Sequence, residues 1–227
     1  ADSLVEENEY DRVVESNGGA DMNASTAEDS TNYFYSFPSN RIELWFLLES
    51  SRFLDPVFRE FYKERDVVRE ERRMRVESSS QGKLVEAMLA TAYSAHPYRN
   101  MPGGWAGDIE HFRRPDAERF YRQYYVPANM TIGIAGDVHP AEARRLAEKY
   151  FGRLPARPLP SRYRTEEPVQ EGEKRTAVAS PAQPFLVIAY KRPDQYSPDS
   201  AALDVLDAVL SDGRTGLIFK DMVRDKQ

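Results

Sequence analysis

The chain has 227 residues, 37 acidic against 31 basic, and a net charge of -6; that length supports one large domain whose core needs no disulfide or metal staple. The absence of cysteine excludes thiolate chemistry, cysteine-ligated zinc and disulfides, and Lys and Arg that never gather into an aromatic-interleaved stripe argue against nucleic acid as a partner. No apolar run reaches the length of a membrane span and Ala1-Asp2-Ser3 begins nothing like a signal peptide, so the chain reads as soluble, with periplasm and cytoplasm both open.

The acidic opening segment, with Tyr10, Val13 and Val14, predicts a short amphipathic helix ended by Asn17-Gly18-Gly19. Residues 20–38 read as a hairpin around a polar turn at 27–30, its second strand alternating through Tyr33, Tyr35 and Phe37. Ser39 or Asn40 can cap a helix to Phe53 whose apolar face, Ile42, Trp45, Phe46 and Leu48, should pack on the sheet. Pro56 is expected to open the next helix, which runs past Met74 to the break at Ser78-Ser79-Ser80 and Gly82. A helix over 83–93 precedes the loop at 96–107, which is rich in Pro and Gly and suited to closing over a surface or touching a partner. Beyond it come a helix from Pro115 to about Tyr125, a strand over 130–135 and a helix from Pro140 to about Phe151. Residues 154–173 carry four prolines and many charges and read as an extended surface connection. Strands over 175–179 and 185–190 and helices over 198–210 and 216–224 complete the pattern. The sum is an α+β domain over residues 1–227, with helices against one face of a mainly antiparallel sheet.

The stretch 64–74 is the one that most needs explaining. At about 100° per residue, Glu64, Val67, Val68, Glu71 and Met74 share one helical face. If that face is buried, each carboxylate must be protonated, ion-paired or bound to a cation, because losing its hydration unaided costs several kcal/mol. The commoner arrangement is an apolar stripe that ends in solvated acids paired with neighbouring Arg.

Other constellations carry less. The histidines are His96, His111 and His139, with no HExxH or HxxEH pair; His96 and His139 each precede a proline as loop residues, and His111 sits among charges. No GxSxG elbow supports serine hydrolysis. The 211–216 loop lacks the lysine and spacing of a phosphate loop. Tyr33, Tyr35 and Phe37 read as one core face of a strand.

Three blocks, in their order, carry a resemblance: residues 15–26 with Asp29-Ser30-Thr31-Asn32-Tyr33, the 64–74 stretch, and Tyr125-Val126-Pro127-Ala128-Asn129-Met130 to Gly136-Asp137. Together with the Gly-rich turn over 210–219, the chain resembles the pitrilysin/insulinase-type zinc metallopeptidases over nearly its whole length. That resemblance implies a zinc cofactor held by an inverted HxxEH motif and a downstream glutamate. By position in its block the glutamate is Glu71, with Glu64 two turns earlier as its supporting partner. It also implies that an extended peptide substrate adds to the edge strand at Asn23 and Ala24 through main-chain hydrogen bonds, and that a second homologous half or partner subunit completes the enzyme.

The family spacing would put HxxEH before Ala1, so two ligands and the general base are absent here, and the expectation is a fragment of the metal-bearing domain that is inactive alone. In the whole enzyme zinc would acidify a bound water and polarise the scissile carbonyl. A relative that lost the motif, a non-catalytic peptide-binding or scaffold subunit, is the alternative that the resemblance also allows.

Overall fold

The computed structural model describes residue 5 and residues 9–224. The chain divides into two compact units, one ending at Pro184 and one beginning at Phe185.

The first unit opens with helix α1 (Glu9–Ser16). Its stop is the glycine pair expected from sequence: the Gly18 and Gly19 amides donate to the carbonyls of Glu15 and Val14 at 3.0 and 2.9 Å. Gly18 adopts φ +82°, and a Cβ on Gly19 would lie 2.3 Å from the Val14 side chain. Strands β1 (Ala20–Thr26) and β2 (Thr31–Ser36) then form the antiparallel hairpin, closed where the Ala27 amide donates to the Ser30 carbonyl. An irregularity between Ala20 and Asn23 leaves one extra residue on β1, and there Asp21 takes the left-handed φ of 56°.

Helix α2 (Ile42–Leu54) packs on one face of this hairpin. Tyr33 meets Phe53 and Tyr35 meets Trp45, while Phe34, on the opposite face, is exposed. This alternation is the period-2 signal of the sequence made visible. Val5, Val14 and Leu48 form the buried cluster between α1 and α2, with Tyr10, Tyr35 and Phe37 against it. On its other side, α2 buries Phe46 against Tyr150 and Phe151, which close helix α7 (Pro140–Tyr150). The elements between are α3 (Phe61–Arg72), α4 (Ser80–Ala92), α5 (Ala106–His111) and α6 (Arg114–Tyr124).

Within the apolar body of α2 one acid is buried. Glu49 is 5% exposed. One carboxylate oxygen accepts from the hydroxyls of Tyr10 and Tyr35 at 2.6 and 3.3 Å, and the other from Arg52 at 2.9 and 2.5 Å. The Arg52 guanidinium stacks over Tyr33, 4.2 Å from its ring centre, and the Tyr33 hydroxyl meets that of Tyr125 at 2.8 Å. Burial works against the Arg52 charge, but Glu49 outweighs it and raises the arginine pKa. Burial first, then the charge of Glu49, push both Tyr10 and Tyr35 up.

Several expectations need correction. Pro56 does not open a helix: the chain turns through 55–60, Phe58 packs edge-on against Tyr121, and α3 begins only after Glu60, held at φ 50°. The helix then loosens into a π turn at Arg73–Glu77 before Ser79 caps α4. Residues 130–135, 175–179 and 185–190 form no ladder; among the described residues the hairpin is the only sheet. Their side-chain patterns favour strands, but a strand also needs a neighbouring chain to take its amides and carbonyls. Ile132, Ile134, Phe185, Leu186 and Ile188 are accordingly exposed. Residues 154–173 contain no helix and no strand.

The second unit consists of an extended entry, helix α8 (Ser200–Ser211) and a short helix α9 (Leu217–Phe219) that widens into a π turn over Lys220–Arg224. A Cβ on Gly216 would lie 2.7 Å from the Leu210 carbonyl oxygen, which fixes glycine in the turn between α8 and α9.

Two predictions test the Glu49 cluster. Glu49→Ala strands a largely buried guanidinium and leaves the Tyr10 and Tyr35 hydroxyls, 3.2 Å apart, only each other; it should cost about 3 kcal/mol in urea unfolding, whereas Glu49→Gln, which keeps an acceptor, should cost clearly less. Tyr10 and Tyr35 are raised above their ordinary 10.0, and Tyr121 is pushed up to about 12, mainly by burial. Their stabilising contribution is complete below pH 10 and falls as pH rises beyond it, since the unfolded chain ionises first. Thermal melts should therefore drop steeply above pH 10, with tyrosinate absorbance appearing together with unfolding.

Candidate functional site

Helix α3 sorts its side chains in an unexpected way. Its covered face is Phe61, Arg65, Arg69, Arg72 and, in the following turn, Val76, recurring every three or four residues. Arginine stems take the place of apolar side chains here, and each charged head finds a partner. Arg69 reaches Glu77 at 2.9 Å and Glu110 at 3.1 Å. Arg72, its side chain 8% exposed, pairs with Glu86 at 2.8 Å, donates to the Gly104 carbonyl at 2.5 Å and lies over the Trp105 ring. Its Nε is buried without a hydrogen bond, 3.6 Å from Glu77.

The opposite face carries Glu64, Val67, Val68, Glu71 and Met74. Val67, Val68 and Met74 are 47%, 41% and 55% exposed, and both glutamates are exposed. The acids are thus solvated, the commoner of the two arrangements, though not paired with neighbouring Arg: the arginine ladder occupies the inward face, so burial does not force a cation onto these acids. Every other acid near them is paired: Glu70 with Arg73, Asp66 with Arg65, Glu77 and Glu86 as above. Among the described residues, Glu64 and Glu71 have no hydrogen bond or ion pair through their side chains. Arg73 hydrogen-bonded to Glu70 holds that carboxyl below the usual range. Glu71 also lines an open cleft with Tyr62, Lys63, Asp66, Val67, Glu70 and Met74.

Among the described residues no three His, Asp or Glu side chains gather as metal ligands. They do not by themselves fit a zinc ion, to which Glu71 could bring one carboxylate. The histidines serve elsewhere. His96 Nδ1 accepts from the Tyr98 amide at 3.3 Å, His111 Nδ1 lies 2.6 Å from the Gly107 carbonyl, and His139 precedes the first turn of α7.

Asn23 and Ala24 lie exposed on β1. Counting back from the bonded pair at Ala27 and Ser30, hydrogen-bonded and open pairs alternate, so Ala24, opposite Tyr33, turns its amide and carbonyl away from β2. That amide donates to Asn23 Oδ1 at 2.8 Å. Ala24 thus presents main chain on the outer edge, and Asn23 presents its carboxamide there.

Loop 93–105 joins these parts. The Tyr98 hydroxyl donates to Asp29 in the hairpin turn, and this bond, with burial, pushes the Tyr98 pKa up to about 12. At its far end Gly104 is held by Arg72 of α3. The Pro and Gly of 96–107 flagged a functional loop; nothing in the sequence signalled its partners.

The comparisons with known proteins agree with one another. Residues 3–102 match the family described as Insulinase (Peptidase family M16), and residues 111–227 match that described as Peptidase M16 inactive domain. Zinc protease PqqE of Helicobacter pylori is 32% identical over 226 residues, covering 96% of this chain and 50% of that protein. Human cytochrome b-c1 complex subunit 1, mitochondrial, is 25% identical over 199 residues, covering 85% of this chain and 41% of that protein. The crystal structure of a protease from Helicobacter pylori aligns with TM-score 0.85 and 28% identity, over 100% of this chain and 56% of that one. The chain thus spans about half, or less, of the length of these curated relatives. No helix among the described residues is long and apolar enough to cross a membrane. With an α+β fold shared with a known protease and both parts of its length matched, the chain belongs to the pitrilysin/insulinase-type family, peptidase family M16.

Proposed function

We propose that this chain is part of the metal-bearing half of a zinc-dependent endopeptidase acting on peptides or small proteins. The observation that carries this reading is the pair Glu64 and Glu71: two unpaired carboxylates on an exposed apolar face, in a helix whose other charges are satisfied. A face of Val67, Val68 and Met74 is suited to receive another helix, and a carboxylate at its centre is suited to meet a cation brought by that helix. In this reading Glu71 is one zinc ligand and Glu64, two turns earlier, supports it. The remaining ligands and the general base come from residues outside this chain, so residues 1–227 alone are inactive.

The peptide adds to the outer edge of β1. Ala24 supplies an amide and a carbonyl for an incoming strand, and the Asn23 carboxamide hydrogen-bonds beside them. A second homologous half or partner subunit covers the substrate from the other side. A second reading, a non-catalytic scaffold that holds peptides on the same edge, is favoured by the relative named as a cytochrome b-c1 complex subunit rather than as a protease.

In the intact protein, Glu71→Ala should lower bound zinc, measured by elemental analysis, at least tenfold, with unchanged circular dichroism; full zinc occupancy would remove Glu71 from the ligand set. Ala24→Pro takes away an outward amide but no ladder bond. It should leave the melting temperature nearly unchanged and abolish peptide binding in fluorescence titration. Retained binding would move the peptide off this edge. Peptide binding with neither zinc nor cleavage in the intact wild type would establish the scaffold.

A further inference from the structure

The connection at 154–173 is not slack throughout. Residues 161–166 and 168–170 are exposed, but Glu167 between them is half-buried. Its carboxylate accepts from three successive backbone amides at the end of α4: Ser94 at 2.8 Å, Ala95 at 2.8 Å and His96 at 2.9 Å. Three amides converging on one carboxylate make a nest of partial positive charge, and hydrogen bonds to a charged acceptor are the stronger kind. Lys174 reinforces the contact, its Nζ donating to Ser94 Oγ at 2.8 Å and the Ala92 carbonyl at 3.4 Å.

What this clasp holds is the start of loop 93–105. Arg99 donates back to the Ser94 carbonyl at 3.1 Å, and the Tyr93, His96 and Tyr98 rings meet edge-on or tilted at 4.4 to 5.9 Å. Tyr98 passes the restraint on through its hydroxyl to Asp29, in the turn that joins β1 to β2. The route from the connection to the hairpin is therefore a continuous series of hydrogen bonds and ring contacts, with Gly104, tied to Arg72, as its second anchor.

We propose that Glu167 is a positioning residue: clasped in the amide nest of Ser94, Ala95 and His96, it sets, through Tyr98 and Asp29, the attitude of the hairpin edge that receives the peptide. The peptide role of that edge rests on the reading given under the proposed function; the clasp and its coupling to the hairpin do not. The connection is then a working part of the peptide site, and a change in its course is transmitted to Ala24.

The test compares Glu167→Ala, Glu167→Gln and Tyr98→Phe with wild type in the intact protein, by amide hydrogen exchange and by peptide-cleavage kinetics. Glu167→Ala should speed exchange of the Ser94, Ala95 and His96 amides roughly tenfold and also loosen the hairpin turn. It should raise KM several-fold, with kcat and zinc content unchanged. Glu167→Gln, keeping one carbonyl acceptor without the charge, should fall between. Tyr98→Phe should loosen the hairpin and raise KM while leaving the three amides protected, and combining it with Glu167→Ala should add little to the KM effect. Unchanged exchange at 94–96 in Glu167→Ala would overturn the clasp. Faster exchange there with an unmoved hairpin would overturn the coupling. An intact wild type without peptidase activity would remove the protease reading, and the hairpin exchange data would still decide the coupling.

Discussion

The first unit depends on one buried charge. Glu49 sits on the buried side of α2, and a carboxylate there is tolerable only because both oxygens are used: two tyrosine hydroxyls on one, and two N–H groups of Arg52 on the other. The partners come from α1, β2 and α2 itself, so the acid can be satisfied only when all three are correctly assembled. Arg52 then extends the cluster to Tyr33, and Tyr33 to Tyr125 after α6. Apolar contacts around Val14, Leu48 and Phe46 supply the bulk of the burial; the Glu49 cluster selects one arrangement of it, because slipping the hairpin by one residue would withdraw Tyr35 from the acid.

Much of this was legible in the sequence. The glycine stop after α1, the hairpin with its turn at 27–30, the packing of α2 on Tyr33 and Tyr35, and the helices opened by Pro115 and Pro140 all follow from local rules. What local rules missed is which face of a helix is covered. On α3 the apolar stripe lies outward and the ladder of Arg65, Arg69 and Arg72 inward, since long stems cover surface as well as leucine does when their heads are paired. The physics of an acid in a buried helical face applies instead to Glu49, on the preceding helix α2, where Tyr10, Tyr35 and Arg52 satisfy it. The segments at 130–135 and 185–190 show a related limit: alternation states a preference for the extended chain and says nothing about who completes the ladder.

The parts assigned to function are fastened by polar contacts that no motif announces. Loop 93–105 holds the hairpin turn by Tyr98 and α3 by the Gly104 carbonyl, so the strand edge and the glutamate-bearing helix share a brace. Both proposed elements, the edge of β1 and the outward face of α3, are exposed apolar or unsatisfied surfaces on a well-fastened frame, which is how binding surfaces are usually built.

The small bond between the Ala24 amide and the Asn23 carboxamide has a consequence for how this protein survives in a crowded solution. An open strand edge is an invitation to any passing extended chain, including another copy of itself. Here the donor at the centre of the edge is already engaged, and the extra residue beside Asp21 twists the strand away from flatness. A visiting segment must dislodge an internal hydrogen bond before it gains one, so brief or poorly matched visitors win nothing and only a chain that makes several contacts at once is retained.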